Sequence, residues 1–327
     1  MRRRRAIALL GGAAVAASLA ARAQQPQQSR RIGILIGSDV STESRIRAIV
    51  EGLRELGWRD GENVRIERIL TSPDPDQMRR AAADLAARAP DVIVANGTAL
   101  LQAALAATRT IPIVFFSVSD PVALGVVASL AHPGGNVTGF ANYEPAMASK
   151  WLELLKETDA RLVSVAVLYN PKTAPFGALM LQTLEAAAAN FSVTISAALV
   201  HQRSDLEQAI SALAATQGSG LIVGPDNFTV NNCAEITALA ARYRITAIYP
   251  LRLFAENGGL IVYGVDLVEQ ARRGASYVSR ILGGENPAEL PVQQPTKYEM
   301  IINLKTARAL DLTIPSALLV QADEVIE

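Results

Sequence analysis

Asn96, Gly97 and Thr98 stand in succession just before the Ala/Leu-rich run 99–108, an arrangement that suits an anion. A helix starting there turns its first free N–H groups toward the triplet, where a carboxylate can accept them. Similar polar clusters recur along the chain: Gly37-Ser38-Asp39, Ser117-Val118-Ser119-Asp120-Pro121, Tyr169-Asn170-Pro171, Pro225-Asp226-Asn227, Tyr249-Pro250-Leu251-Arg252 and Tyr263-Gly264-Val265-Asp266. Asp120 or Asp226 can pair with an ammonium group, and Tyr169, Tyr249 and Tyr263 offer flat apolar walls with one polar handle each. Replacing either aspartate by alanine is therefore expected to weaken binding and leave the empty protein's thermal midpoint nearly unchanged. The same residue types also serve as caps and turn formers, Ser38, Thr98 and Asn170 in particular.

Each cluster follows an apolar run of strand length, and helical spacing separates the runs. Ile32–Ile36 reads as a buried strand, followed by Ile46, Ile49, Val50, Leu53 and Leu56 on one helical face and a stop at Gly57. Strands at 64–70, 91–95 and 111–116 alternate with helices at 77–89 and 99–108. After a loop over 131–143 the rhythm restarts. Strands at 162–169, 193–199, 220–223, 245–249 and 260–263 alternate with helices at 175–190, 205–216 and 231–243. A long helix at 267–282 and a Pro-punctuated tail close the chain. This alternation predicts an α/β fold with parallel sheets covered on both faces, in two similar halves. In such sheets ligands lie beyond the carboxyl ends of the strands, where the polar clusters fall.

Composition narrows the function. In 327 residues, 31 Lys and Arg balance 31 Asp and Glu, which argues against a nucleic-acid partner. One Cys, Cys233, and two His, His132 and His201, make neither an internal disulfide nor a Cys/His metal cage. No G-x-S-x-G elbow, P-loop, G-x-G-x-x-G or H-E-x-x-H occurs, so no catalytic residue, cofactor or metal is assigned and an enzyme is not expected. Arg2–Arg5, the uncharged stretch Ala6–Leu19 and the small-residue site Ala21-Arg22-Ala23 have the order of a signal peptide, 1–23, cleaved near Ala23. The Sec and twin-arginine routes both stay open. Cleavage removes five arginines and no acid, leaving a mildly acidic mature chain with a polar leader at 24–30.

Several separated motifs resemble one family: Ile111-Pro112-Ile113-Val114-Phe115, Asp120-Pro121-Val122, His132-Pro133-Gly134-Gly135-Asn136-Val137-Thr138-Gly139, Val167-Leu168-Tyr169-Asn170-Pro171 and Asn303-Leu304-Lys305-Thr306-Ala307. Together, from about Arg31 to Glu327, they are similar to the substrate-binding proteins of ABC transporters related to the tryptophan/tyrosine-binding TrpX-type group. The resemblance implies a type I periplasmic-binding-protein fold, two Rossmann-like lobes joined by three crossings and closing like a hinge. It places 24–140 with about 265–286 in the first lobe, and 141–264 with about 287–327 in the second. By position Ser38, Asn96, Gly97, Thr98, Ser119 and Asp120 line the first lobe's side of the cleft. Tyr169, Asn170, Asp226 and Arg252 line the second, with Tyr263 and Asp266 near a crossing.

The resemblance also implies a periplasmic monomer that delivers a small molecule to an ABC permease driven by a cytoplasmic ATPase. Members that bind aromatic amino acids tend to carry a His-Pro loop after the first strand. Gly37–Thr42 has neither residue, so the expected ligand is a small polar organic molecule, amino-acid-like or carboxylate-bearing. A sensory receptor with the same cleft, or an exported α/β enzyme, are the alternatives. A DNA-binding regulator of the same architecture would need a helix-turn-helix where the signal peptide stands.

Overall fold

The computed structural model describes residues 29–38, 42–72, 74–174 and 176–327. The expected signal peptide, the expected leader up to residue 28 and Asp39 lie outside the described residues. Strands β1 (Arg30–Gly37), β2 (Val64–Thr71), β3 (Val92–Asn96), β4 (Ile113–Val118) and β5 (Val137–Ala141) form a parallel sheet in the order β2-β1-β3-β4-β5. Its central strands are continuous apolar runs because helices bury both faces. The helix Thr42–Glu55 covers one face, and Pro75–Ala87 and Thr98–Ala107 the other.

The second sheet joins β6 (Ser164–Tyr169), β7 (Thr194–Leu199), β8 (Ser219–Val223), β9 (Thr246–Tyr249), β10 (Ile261–Val265), β11 (Tyr298–Asn303) and β12 (Glu324–Ile326) in the order β12-β11-β10-β9-β8-β6-β7. Only the β10–β11 pair is antiparallel.

The chain passes between the sheets at 141–145, at 265–267 and at 293–298. In the middle passage the helix Leu267–Leu282 leaves β10 and packs on the first lobe. There Gly52 lets the two helices touch, since a Cβ at Gly52 would sit 2.8 Å from the Ala275 Cβ. Trp58 Nε1 donates to Ser279 Oγ (3.0 Å) at the same contact. The stretch 287–293, expected in the second lobe, stays with the first. Leu290 and Val292 are buried in its core, the Val292 N–H donates to the Leu130 carbonyl, and Gln293 bridges to Phe140.

Besides the tail, which supplies β11 and β12 where no strand was expected, three elements differ from their sequence reading. The expected loop at 131–143 contains β5, every residue of which is buried. Its turn-like Gly139 is needed for strand contact, because a Cβ there would lie 2.0 Å from the Phe115 carbonyl oxygen. The expected helix at 231–243 is two pieces, Asn227–Asn231 and Cys233–Arg242, broken at Asn232. The helix Pro145–Thr158, passed over in the sequence, inserts Trp151 into the second core, where its Nε1 donates to the Tyr263 carbonyl (2.7 Å).

Candidate functional site

Strand order fixes where each sheet can hold a ligand. Connections leave β1 and β3 toward opposite faces, and likewise β6 and β8, so a crevice opens at the carboxyl end of each pair. The two crevices face one another. Gly37, Ser38 and Asn96 come from the first, and Thr173, Pro225, Asp226 and Asn227 from the second. Between them lies a polar cavity of about 50 Å³ that continues into a compartment of about 240 Å³, sharing Asn96, Thr173, Asn227 and Val230. Met78, Leu100, Phe228 and Val230 make the larger compartment mostly apolar.

The lobes are closed over this space. Ser119 Oγ, from the first lobe, lies 3.3 Å from the Pro225 carbonyl of the second and also donates toward Asn142 Oδ1 (3.1 Å). A Cβ on Gly97 would stand 3.4 Å from Asn227 Oδ1 across the gap. Gly97 has φ +85° and ψ 158°, a region essentially restricted to glycine, and it gives the helix Thr98–Ala107 no side-chain cap. The helix therefore presents its N–H groups and positive dipole end to the cavity.

Several polar atoms around the cleft are buried without a hydrogen-bond partner: Asn96 Nδ2, Thr71 Oγ1 and Ser117 Oγ. Natural interiors satisfy nearly all such groups, so orphans that converge on one cavity mark groups a ligand would satisfy. Ser117 is the most constrained of them. It sits at a register shift in β4 with φ +59°, the left-handed region a serine rarely adopts. Gln270, buried on the helix Leu267–Leu282, holds it there. Gln270 Oε1 accepts from the Ser117 N–H (3.0 Å), and its Nε2 donates to the Ala141 carbonyl (2.8 Å). Gln270→Ala is expected to lower the thermal midpoint by a few degrees, from about 1–3 kcal/mol for two stranded backbone groups. It should also weaken ligand binding as Ser117 relaxes; thermal unfolding and calorimetric titration measure both.

Of the sequence candidates, Ser38, Asn96, Gly97, Thr98 and Ser119 come together at this cleft. Of the other candidates, Asp226 also borders the polar cavity, and Arg252 and Asp266 line an adjoining one that shares Arg45, Val230, Leu251 and Leu267 with it, but the protein itself engages their charged groups. The Asp226 carboxylate is engaged by protein donors. Oδ1 accepts from Phe228 N (2.6 Å), Thr229 N (3.0 Å) and Thr173 Oγ1 (3.0 Å), and Oδ2 from Asn170 N (3.2 Å). It closes a capping box on the short helix, so the ammonium partner expected from its position is a structural cap. Burial pushes this carboxyl up, against the pull of those hydrogen bonds.

Tyr169 is buried in the second core with its ring over Gly177. Asn170 shapes a turn, accepting from Lys172 N (2.9 Å) and donating to the His201 carbonyl (3.2 Å). Arg252 binds Glu299 (2.7 Å) and Glu324 (2.6 Å) within its own lobe. The Tyr263 ring stacks on Tyr298, and Asp266 caps the helix Leu267–Leu282 through Val268 N and Glu269 N. Asp120 faces away from the cleft into a separate cavity.

Among the polar cleft residues, Arg45, Thr71, Asn142, Thr173 and Asn231 were missed, and Ser117 and Asn227 appeared in the sequence only as members of their polar clusters. Arg45 is a buried guanidinium on the first turn of the helix Thr42–Glu55, and it lines the polar cavity. In sequence it looks like any arginine on an amphipathic helix. Among the described residues, no group of three or more His, Cys, Asp or Glu is placed to hold a metal ion, and no helix is long and apolar enough to cross a membrane.

Known proteins share both sequence and architecture with this chain. A curated tyrosine-binding protein of Clostridioides difficile (strain R20291) is 28% identical over 271 residues, 83% of this chain and 77% of that protein. The crystal structure of an ABC domain in complex with L-Trp from Streptococcus pneumoniae superposes with TM-score 0.84 at 24% identity, covering 91% of this chain and all of that one. A ligand-free, open substrate-binding protein with adhesive properties from Clostridium difficile gives 0.72 at 26% identity, over 91% and 99% of the two chains. A family model described as ABC transporter substrate binding protein matches residues 34–326. With two parallel-sheet lobes, a cleft at their switch points and a match over nearly the whole described chain, this protein belongs to the ABC transporter substrate-binding protein family.

Proposed function

We propose that this protein is the exported receptor of an ABC importer, closing its lobes on one amino-acid-like carboxylate and carrying it to a membrane permease. The observation that carries this reading is the set of unpartnered polar atoms, Asn96 Nδ2, Thr71 Oγ1 and Ser117 Oγ, around a cavity enclosed by both lobes. The ligand carboxylate sits at the uncapped N-terminus of the helix Thr98–Ala107, with the Arg45 guanidinium lining the same polar cavity. Its side chain occupies the compartment walled by Met78, Leu100, Phe228 and Val230, which suits an apolar or aromatic group. The named ligands of the two relatives, tyrosine and L-Trp, support that class. Support for closure comes from the higher superposition score with the L-Trp complex than with the open form.

The test is a thermal-shift screen of refolded, ligand-stripped protein against amino acids, their decarboxylated amines and their deaminated acids. A true ligand at ~100 times its dissociation constant should add about 2.7 kcal/mol, a rise of several degrees. Loss of the carboxylate should abolish the shift. A carboxylate-free analogue that binds as well as its parent refutes the assignment. Ser119→Ala, which removes the cross-lobe bond, is expected to weaken the same ligand about fivefold, for a net loss near 1 kcal/mol. The empty protein's midpoint should move little, since the bond to Pro225 forms only when the lobes meet.

A further inference from the structure

Asp120 opens onto a second cavity of about 360 Å³, separated from the cleft by Ser119, which borders both. Pro121, Val122 and Leu130 supply apolar walls, and Tyr143 and Gln294 stand on two of the three passages between the lobes. The Tyr143 ring is clamped against Phe176 (5.3 Å between centroids) and Trp151 (5.9 Å), and the residue is only 4% exposed. Its hydroxyl is buried with no hydrogen-bond partner. The Asp120 carboxylate acts on that hydroxyl: burial, and then this charge, raise the Tyr143 pKa. Asp120 Oδ1 accepts from Ala123 N (2.9 Å), and among the described residues no basic side chain pairs with Asp120. The cavity is large enough for a metabolite and carries one negative charge and one unsatisfied hydroxyl against apolar walls.

We propose that this cavity is a second binding site, for a small monoamine with an apolar body and no carboxylate, and that its occupant favours the closed form. The ammonium group donates to Asp120 Oδ2 and to the Tyr143 hydroxyl oxygen, while the apolar body lies against Pro121, Val122 and Leu130. A ligand carboxylate is repelled by Asp120, which separates this chemistry from that of the cleft. Because Tyr143 and Gln294 belong to the passages, and Ser119 reaches Pro225 only in the closed form, an occupant bears on closure. Coupling to the cleft ligand is then reciprocal.

The experiment uses the mature chain with 2-phenylethylamine as probe and phenylacetate as its acidic control, titrated calorimetrically. Saturable one-to-one binding of the amine but not of the acid is expected, undiminished when the cleft ligand is present at saturation. Asp120→Asn keeps the cap on Ala123 but loses the charge, and should weaken the amine at least about tenfold. Tyr143→Phe keeps the ring packing and should weaken it about fivefold. The cleft variant Gly97→Ala should retain amine binding. Absence of saturable binding overturns the proposal, as does an affinity indifferent to Asp120→Asn. Displacement of the amine by the cleft ligand overturns it too, by making this cavity part of the cleft.

Discussion

Replacing Asp226 with alanine is expected to lower the thermal midpoint by roughly 6–12 °C. The carboxylate is 4% exposed and serves four donors at once, three backbone N–H groups and the Thr173 hydroxyl. Losing the cap costs about 0.5–2 kcal/mol. Each buried donor left without an acceptor adds about 1–3 kcal/mol, softened where water enters, so about 3 kcal/mol is a reasonable total. Asp226→Asn should fall between: the amide oxygen can still serve Phe228, Thr229 and Thr173, while its nitrogen faces the Asn170 N–H. Circular dichroism melts of the three proteins, with calorimetric titration of the cleft ligand well below the midpoint, check the ranking. A melt unchanged by alanine together with lost binding would return Asp226 to the role its position suggests, that of an ammonium partner.

Gly97→Ala should reduce ligand affinity about 10- to 100-fold, corresponding to about 1–3 kcal/mol of backbone strain in a glycine-only conformation. Without ligand the backbone at 97–98 can relax and turn its N–H groups from the cleft, so the strain is met again on binding. The new methyl also lies 3.4 Å from Asn227 Oδ1 when the lobes close. That distance is an ordinary van der Waals contact and Asn227 itself lines both cavities, so adding Asn227→Ala to Gly97→Ala should recover no affinity if strain is the cause. Isothermal titration of the single and double variants separates the two. An unchanged dissociation constant in Gly97→Ala would show that the helix N-terminus takes no part in recognition.

Much of the architecture was legible before any coordinates. A parallel strand buried on both faces must be apolar throughout, so Ile32–Ile36 and Val92–Ala95 announced themselves, and the intervening 3.6-residue spacing announced the covering helices. β5 did not, since its Gly139 and flanking Thr138 and Asn142 read as a turn. Only the Phe115 backbone pressed against Gly139 explains why a glycine stands in a strand. The tail was similarly opaque, because β11 and β12 depend on partners such as β10 from earlier in the chain.

The site divides along the same line. Helix N-termini and strand ends are local features, so Ser38, Asn96, Gly97, Thr98 and Ser119 could be placed at a cleft from order alone. Which aspartate is free to meet a ligand is not local. Asp120 and Asp226 both follow strands and both precede turns or helices, yet Asp226 is enclosed by donors from 170, 173, 228 and 229, while Asp120 looks into a cavity behind the cleft. Arg45 and Gln270 are ordinary helical residues until Arg45 lines the polar cavity between the lobes and Gln270 holds Ser117 in a left-handed turn. By itself the sequence determined most of the strands and helices, the two-lobed α/β class and the family, because these follow from short-range spacing and contiguous motifs. Only the tertiary structure decided which polar groups are engaged by the protein and which are left without a protein partner, because that depends on contacts between segments far apart in the chain.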